Sequence, residues 1–400
     1  MNTARRPAAQ EVTDLNNHDN AGAAGGPRPG RLRKAAARLG SSLRFLRWHL
    51  GHTIPTILRH TSTYPELPRK SKLRRLADNL RIYMRDGAPC AAYDGLGLDV
   101  KGRGIGDFVG NVAWIRFLLR HLTEDGMETA TPMQKLTHIG TCPALILQDK
   151  FCFWSFMDRH GVPAVPILAH TVGGKLVKGE ETLPKLRNLE RFFVKPVAAN
   201  CGSKASIVVV KGGDFTVDGH KTSIDEMIAG GDDFIFQPVI ENHADIKEIN
   251  PSSLNTLRLV TCRRRDGSLE LWDPGMMRIG RADASVDNFA KGGIGVGIDE
   301  SGRLKKYGYS HDRDLNYAKA ERHPDSNVAF EGRPVPFYAE SVRLAMQAHA
   351  LFPRLLTVGW DVAVTPGGPI LVEGNHDWDI EMLQVVHHKG SAARLKEIYG

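Results

Sequence analysis

Glu373 and Asn375 close an apolar, strand-like run, LVEGNHDWD at residues 371–379, and stand two positions apart. Side chains on a strand alternate between faces, so this pair points the same way. A second run of the same character, VGWDVAVT at 358–365, is joined to the first through Pro366-Gly367-Gly368. A three-residue hairpin loop over 366–368 sets Thr365 against Pro369 and, counting outward, Asp361 against Glu373. Asp361, Glu373 and Asn375 then share one face. Two carboxylates opposed across a ladder repel, and on a half-buried sheet they call for a cation between them. Their oxygens suit a hard ion such as Mg2+, which keeps several waters and takes phosphate oxygens as further ligands. The bland alternative is a pair of exposed acids on a polar sheet face.

The stretch FVKPVAANCGSKASIVVV, residues 193–210, puts Lys195 at the end of an apolar strand. A loop of small residues with Gly202 and Ser203 follows, then another apolar strand. Such a loop can fold over a polyphosphate, with backbone N–H groups and a lysine supplying positive charge. Taken alone, a strand-end lysine is more often simply solvated.

Stepping outward, the elements that must carry these residues begin near Asp149. DKFCFWSFMDRHG reads as a helix ending at Gly161. After it come VPAVPILAHTV, the Lys195 segment, FIFQPVIEN, SSLNTLRLVTCRR, LELWDPGMMRIG and the closing hairpin. Strands dominate with helices between them, the pattern of an α+β fold with antiparallel sheets. The expected division is a tail over 1–30, a basic helical region over 31–145, a first lobe over 146–238 and a second over 239–400. The tail lacks the apolar periodicity that offsets chain entropy and is expected to be disordered.

Leu32, Ala36, Leu39, Leu43, Leu46 and Leu50 recur at helical spacing among arginines and Lys34, the pattern of an amphipathic basic helix. Two readings stand: a membrane-surface or glycan-assembly docking helix, or a helix packed on its own protein. A second basic helix is expected over 69–85. Gly104, Gly106 and Gly110 echo a dinucleotide fingerprint, but no convincing strand precedes them.

Composition sets the outer bounds. The chain has 400 residues, 42% hydrophobic and 24% charged, and no apolar run long enough to span a bilayer. Nothing near its start reads as a secretory signal. Its five cysteines are scattered without a C-x-x-C pair, against a disulfide framework or zinc site and in favour of a reducing cytoplasm. Residues 1–90 hold 17 Lys and Arg against 6 Asp and Glu, so the net charge of +8 belongs to that quarter and the remainder is acidic. Nucleic acid is therefore not an expected partner of the candidate site.

The ordered set DK at 149–150, VKP…GS at 194–203, FIFQPVIE at 234–241, NTLR at 255–258, DNFAKGG at 287–293 and D…E-x-N at 361–375 resembles the ATP-grasp superfamily. SLNTLRLVT and GWDVAVTPGGPILVEGNHDWD bring it closest to the sugar-transfer-associated ATP-grasp proteins. The resemblance implies two lobes whose antiparallel sheets enclose ATP. It implies Lys150 and Lys195 on the phosphates, the Gly202-Ser203 loop over them, Gln237 and Val239 at the adenine, and Glu241 at the ribose. Asp361, Glu373 and Asn375 would hold two Mg2+ ions. Gln237 stands where an acid is frequent, and HDWD replaces a Pro-Gly loop after E-x-N.

The chemistry so implied is transfer of the γ-phosphoryl group to a carboxylate, followed by attack of an amine or other nucleophile on the acyl phosphate. Arg258 and Arg278 are the expected stabilisers of that intermediate, and Asn255 and Asn288 of substrate orientation. His243, His376, Asp377 and Asp379 are candidate acceptor contacts. A small-molecule kinase and a silent scaffold in glycan assembly remain as alternatives. Gly374-Asn375-His376-Asp377 also spells a motif of calcineurin-like phosphoesterases, whose companion motifs are missing from the sequence.

Overall fold

The computed structural model describes residues 50–51, 54–123, 143–178, 183–197, 205–217, 219–228, 233–282, 292–312 and 316–399. The expected tail, all but the last residue of the 31–50 helix, Gly202, Ser203 and Asn288 lie outside them. Two antiparallel sheets form the body. The first contains β1 (Ala169–Val172), β2 (Lys175–Lys178), β3 (Arg191–Pro196), β4 (Ser206–Lys211), β5 (Asp214–Val217), β6 (His220–Thr222) and β7 (Phe234–Pro238). Its spatial order is β2-β1-β7-β3-β4-β5-β6. The alternation in RFFVKP explains its two sides: Phe192, Val194 and Pro196 are buried, while Phe193 and Lys195 belong to the opposite face.

The second sheet contains β8 (Thr256–Arg263), β9 (Leu269–Leu271), β10 (Met276–Ile279), β11 (Ile294–Ile298), β12 (Leu304–His311), β13 (Tyr317–Ala320), β14 (Thr357–Thr365) and β15 (Gly368–Asn375). The order is β13-β12-β11-β10-β8-β14-β15, with β9 beside β8. In β14 every residue but Thr365 is buried, because both faces are covered. One face packs Leu257, Leu259, Trp360 and Val362 against the helix Tyr338–Ala350. The helix Lys150–Arg159 joins that core through Phe153 and Met157, so the helix expected in the first lobe packs against the second. Asp149 caps it, accepting from the Cys152 N–H at 2.7 Å.

The opposite face of the second sheet is shared. Part of it carries the charged residues described below. The rest lies under an N-terminal unit made of the helices Ile54–Arg59, Lys72–Asp86 and Asn111–Thr123 and a turn-rich stretch between them. Trp114 of that unit packs against Trp272 and Trp378 with ring centroids 5.4 and 5.0 Å away. The described part of the basic helical region is thus built into the second sheet's core. Residues 101–110 contain no strand, and only an isolated bridge between Arg69 and Val100 precedes them, which removes the dinucleotide echo. Among the described residues no helix is long and apolar enough to cross a membrane.

Candidate active site

The closing hairpin reaches the expected pairing by an unexpected route. Thr365 pairs with Gly368 and Val364 with Pro369, so the loop is only Pro366-Gly367, one residue shorter than the count from sequence. Gly368 takes φ 112°, a conformation few other residues tolerate. The register then shifts between Val362 and Asp361, and this bulge restores Asp361 opposite Glu373, with Asn375 opposite Gly359. Between the two polar residues, Gly374 is required by packing: a Cβ there would lie 2.8 Å from the Trp360 ring and 2.9 Å from Leu147. Asn375 Nδ2 donates to Glu373 Oε1 at 3.4 Å, which confirms that the two share a face.

The next strand changes the electrostatics. Asp361 lies opposite Arg258 of β8, and Arg258 opposite Met276 of β10, which brings Arg278 to the same face. Arg258 donates from Nε to Asp361 Oδ1 at 2.5 Å and from a terminal nitrogen to Oδ2 at 3.1 Å; Arg278 donates to Oδ2 at 2.8 Å. Burial opposes ionisation of Asp361, but the two guanidinium groups outweigh it and hold the carboxyl well below its ordinary range. The cation demanded by the opposed carboxylates is therefore supplied in part by arginine, and the two residues expected to act on an intermediate also clamp Asp361. Glu373 is left in the opposite state. Burial and the neighbouring Asp361 push its carboxyl up, and no cation forms an ion pair with it among the described residues.

The first sheet supplies the facing wall. Lys195 pairs with Ile235, and Phe193 with Gln237, so these four side chains share a face. Burial lowers the Lys195 ammonium to about 8, with Glu373 opposing that shift and Lys150 adding to it. Lys195 makes no hydrogen bond or ion pair among the described residues, although its charge senses Glu373 and Asp361. Lys150, the first residue of its helix, is also lowered by burial and senses Glu373; its Nζ donates to the Val197 carbonyl at 3.2 Å. The structure thus brings Lys150, Lys195, Glu373 and Asp361 together from two lobes.

Sequence reasoning missed the apolar cluster beside these lysines, formed by Ile167, Val197 and Ile235 with Phe151 and Trp154 packed on it. Its legible signal was the spacing of Phe151 and Trp154, three apart on one helix face.

Other expected residues are placed differently. Gln237 is buried and gives its amide N–H to the Val165 carbonyl at 3.2 Å, while Val239 lies half-buried just past the end of β7. Glu241 is exposed and paired with Lys247 at 2.8 Å. Asn255 is buried in an amide cluster: it donates to the Asn250 carbonyl and accepts from the Gly280 N–H at 3.0 Å. Its hydrogen-bonding capacity is spent positioning the start of β8 rather than facing a cleft. His243 caps the helix Ala244–Lys247. His376 lies 3.4 Å from Gln148, and Asp377 is exposed. Asp379 caps the helix Ile380–His387, accepting from the Glu381 N–H at 2.7 Å, and its charge senses Arg258 and His311.

The donor set fits a hard cation. Glu373 and Asn375 offer a carboxylate and an amide oxygen on one face, and Asp361 Oδ1, which among the described residues accepts only from Arg258 Nε, keeps a second lone pair, whereas Oδ2 accepts from both arginines. Among the described residues no cluster of three His, Cys, Asp or Glu side chains exists that could hold a metal alone, so phosphate oxygens or water would have to complete any shell.

The sequence profile described as sugar-transfer associated ATP-grasp matches residues 139–400. The chain belongs to that family. The ATP-grasp fold accounts for the two antiparallel sheets. Among solved structures, N5-carboxyaminoimidazole ribonucleotide synthetase from Thermotoga maritima is 11% identical over 64% of this chain and 47% of its own, with a TM-score of 0.33. D-Alanine-D-alanine ligase from Helicobacter pylori is 12% identical over 64% of this chain and 62% of its own, TM-score 0.37. A RimK domain ATP-grasp protein from Sphaerobacter thermophilus is 13% identical over 64% and 69%, TM-score 0.35. This chain spans about half the length of the synthetase. At such scores the likenesses assign neither residue roles nor substrates. No curated protein matches the chain.

Proposed function

We propose that this ATP-grasp protein is an ATP- and Mg2+-dependent ligase that joins a small-molecule carboxylate to an amine or other nucleophile through an acyl phosphate. One observation carries the reading: Lys195 of the first lobe and Glu373 of the second are held face to face, each without an ion-pair partner among the described residues. An unpaired acid and an unpaired lysine at a lobe interface are costly unless a ligand completes both. A metal-bound triphosphate does so.

Lys150 and Lys195 bind phosphate oxygens. Glu373, Asn375 and Asp361 would hold Mg2+, which when bound neutralises charge on the transferred phosphoryl group. A substrate carboxylate oxygen forms a bond to the γ-phosphorus as the bond to the ADP oxygen breaks. The nucleophile's lone pair then adds to the acyl carbon, inorganic phosphate leaves, and the nucleophile's proton passes to water. Arg258 and Arg278 hold Asp361 in place and supply positive charge beside the developing acyl phosphate. Gln237, Val239 and the apolar cluster at Ile235 offer the surface for a base, and Glu241 is available to a ribose if it releases Lys247. Asn288 and the Gly202-Ser203 loop are further contacts on this reading, and Asp379 and His376 line the acceptor side. The family's association with sugar transfer supports a role in polysaccharide or cell-surface glycan assembly, in the ATP-supplied cytoplasm.

Incubation with Mg-ATP, pooled amino acids and sugar acids, and hydroxylamine tests the proposal. Release of ADP together with hydroxamate is the expected result. ADP with a stable phosphorylated product and no hydroxamate would mean a kinase; neither product would mean a silent scaffold.

A further inference from the structure

The helix Lys72–Asp86 is turned inside out. Its inward side buries Arg75, Asp78, Asn79, Ile82 and Asp86. Its outward side carries Leu73, Leu76, Leu80 and Met84, spaced at three and four residues along one stripe. Leu73 is 80% exposed and Met84 76%, with Leu76, Leu80 and Tyr83 half-buried between them. Arg74, Arg81 and Arg85 run along one flank, 59%, 54% and 40% exposed, and Lys72 stands on the other. The helix is well anchored for a surface element. Ser71 caps it by accepting from the Arg74 N–H, Gly87 ends it in the left-handed conformation, and Lys70 fixes Asp78 from below at 2.8 Å. An ordinary amphipathic helix of a globular domain hides its leucines and exposes its arginines; this one leaves both outside.

We propose that this stripe is a docking surface for an anionic lipid bilayer, with Leu73, Leu80 and Met84 entering the headgroup boundary and the flanking arginines meeting lipid phosphates. Charge selects this occupant over the others. Of the seven Lys and Arg in residues 69–86, Arg75 is buried and Arg69 and Lys70 are tied to buried aspartates. That leaves Lys72, Arg74, Arg81 and Arg85 at the surface, the three arginines reaching Asp78 and Asp86 at the helix's inner edge, and no acid on the outward side. The preceding segment 31–49 contains six Lys and Arg and no acid, so it offers the arginine flank no opposite charge. A second copy of the chain would set one arginine flank against another. An apolar stripe edged with arginine matches a negatively charged planar surface, where each basic group near the headgroups adds to the affinity given by apolar burial. Because the helix belongs to the unit packed on the second sheet, docking would hold the cleft close to a membrane-bound acceptor.

Sedimentation of the full chain with vesicles tests this. Vesicles of phosphatidylcholine with about one-third phosphatidylglycerol should carry the protein down, vesicles of phosphatidylcholine alone should not, and binding should weaken as salt rises. Leu73→Ser with Met84→Ser leaves every charge in place and should lower the partition coefficient by about tenfold or more, the factor expected on losing large apolar contacts. Both side chains are exposed, so an unchanged circular dichroism spectrum and melting temperature should accompany the loss. Failure of the unaltered chain to bind anionic vesicles overturns the proposal. Undiminished binding by the double variant also overturns it, by assigning the affinity to another segment such as 31–49. A dimer that the double variant dissolves, without vesicle binding, would reassign the stripe to contact between copies.

Discussion

Two regions of this molecule that bury acids treat them differently. Beneath the helix Lys72–Asp86, Asp78 is held by Lys70 at 2.8 Å and by the Tyr93 hydroxyl at 3.1 Å. Asp94 and Asp99 both accept from Arg69, at 3.0 and 2.8 Å, and His60 lies 3.3 Å from Asp94. Every one of these carboxylates meets a cation inside the unit. Between the sheets Asp361 is clamped in the same manner, but one strand away, among the described residues, Glu373 has no cation in an ion pair and Lys195 no acid. The first arrangement is closed and holds a fold together. The second keeps opposite charges apart, which is useful only to a ligand that enters between them.

Substitutions should separate the two regions. The largest effect is expected from Glu373→Gln: ADP release should fall by about 10²-fold or more, while the melting temperature holds or rises because an unpaired buried carboxylate is removed. A matching loss of stability would erase the contrast. Asp78→Ala should do the reverse, costing about 3 kcal/mol in urea denaturation by leaving Lys70 without its partner, with turnover per folded molecule unchanged.

A smaller effect follows from Lys195. Its ammonium is lowered by burial to about 8 and must carry its proton to bind phosphate, so nucleotide affinity should decline as pH rises through about 8. Binding at pH 8.5 should take up a proton, readable by calorimetry in buffers of different ionisation enthalpy. Folding shows the opposite trend from this group, since the unfolded chain keeps the proton up to the ordinary lysine range; stability gained from Lys195 rises above pH 8. The smallest effect is expected at Glu381, which accepts from the Asn111 N–H at 3.0 Å and is pushed up by burial and by Asp379. A raised carboxyl stabilises the fold at acid pH, and that contribution is lost as pH climbs toward its folded value. Glu381→Gln, which cannot lose the proton, should match the parent at pH 5 and exceed it by about 1 kcal/mol at pH 9 in thermal denaturation.

Period-two alternation made much of this legible in the sequence. It aligned Glu373 with Asn375, and the β3 pattern set Lys195 opposite its buried neighbours. The pairing of Asp361 with Glu373 was reached through an incorrect loop length, and a bulge near the turn cancelled the error. Sequence does not announce bulges, because a single unpaired residue leaves the apolar pattern almost unchanged. The arginine clamp was out of reach for a different reason: Arg258 and Asp361 are 103 residues apart, and only strand order makes them neighbours. Asn255 shows the converse limit. Its type and position beside Arg258 invite a substrate role, whereas the Asn250, Asn242 and Ser253 groups that absorb its hydrogen bonds become visible only in the folded loop. The N-terminal unit was read as basic helices but not as part of the second sheet's core, since the Trp114 and Trp378 contact spans most of the chain.

The central claim is that Lys195 and Glu373 are completed by one metal-bound triphosphate. Calorimetric titration of ATP into the parent, Lys195→Ala and Glu373→Gln, each with and without Mg2+, tests it most directly. Lys195→Ala should weaken ATP binding about tenfold or more under both conditions, and Glu373→Gln should bind ATP with no gain from Mg2+. Unchanged affinity in the lysine variant together with full Mg2+ dependence in the glutamine variant would contradict the account.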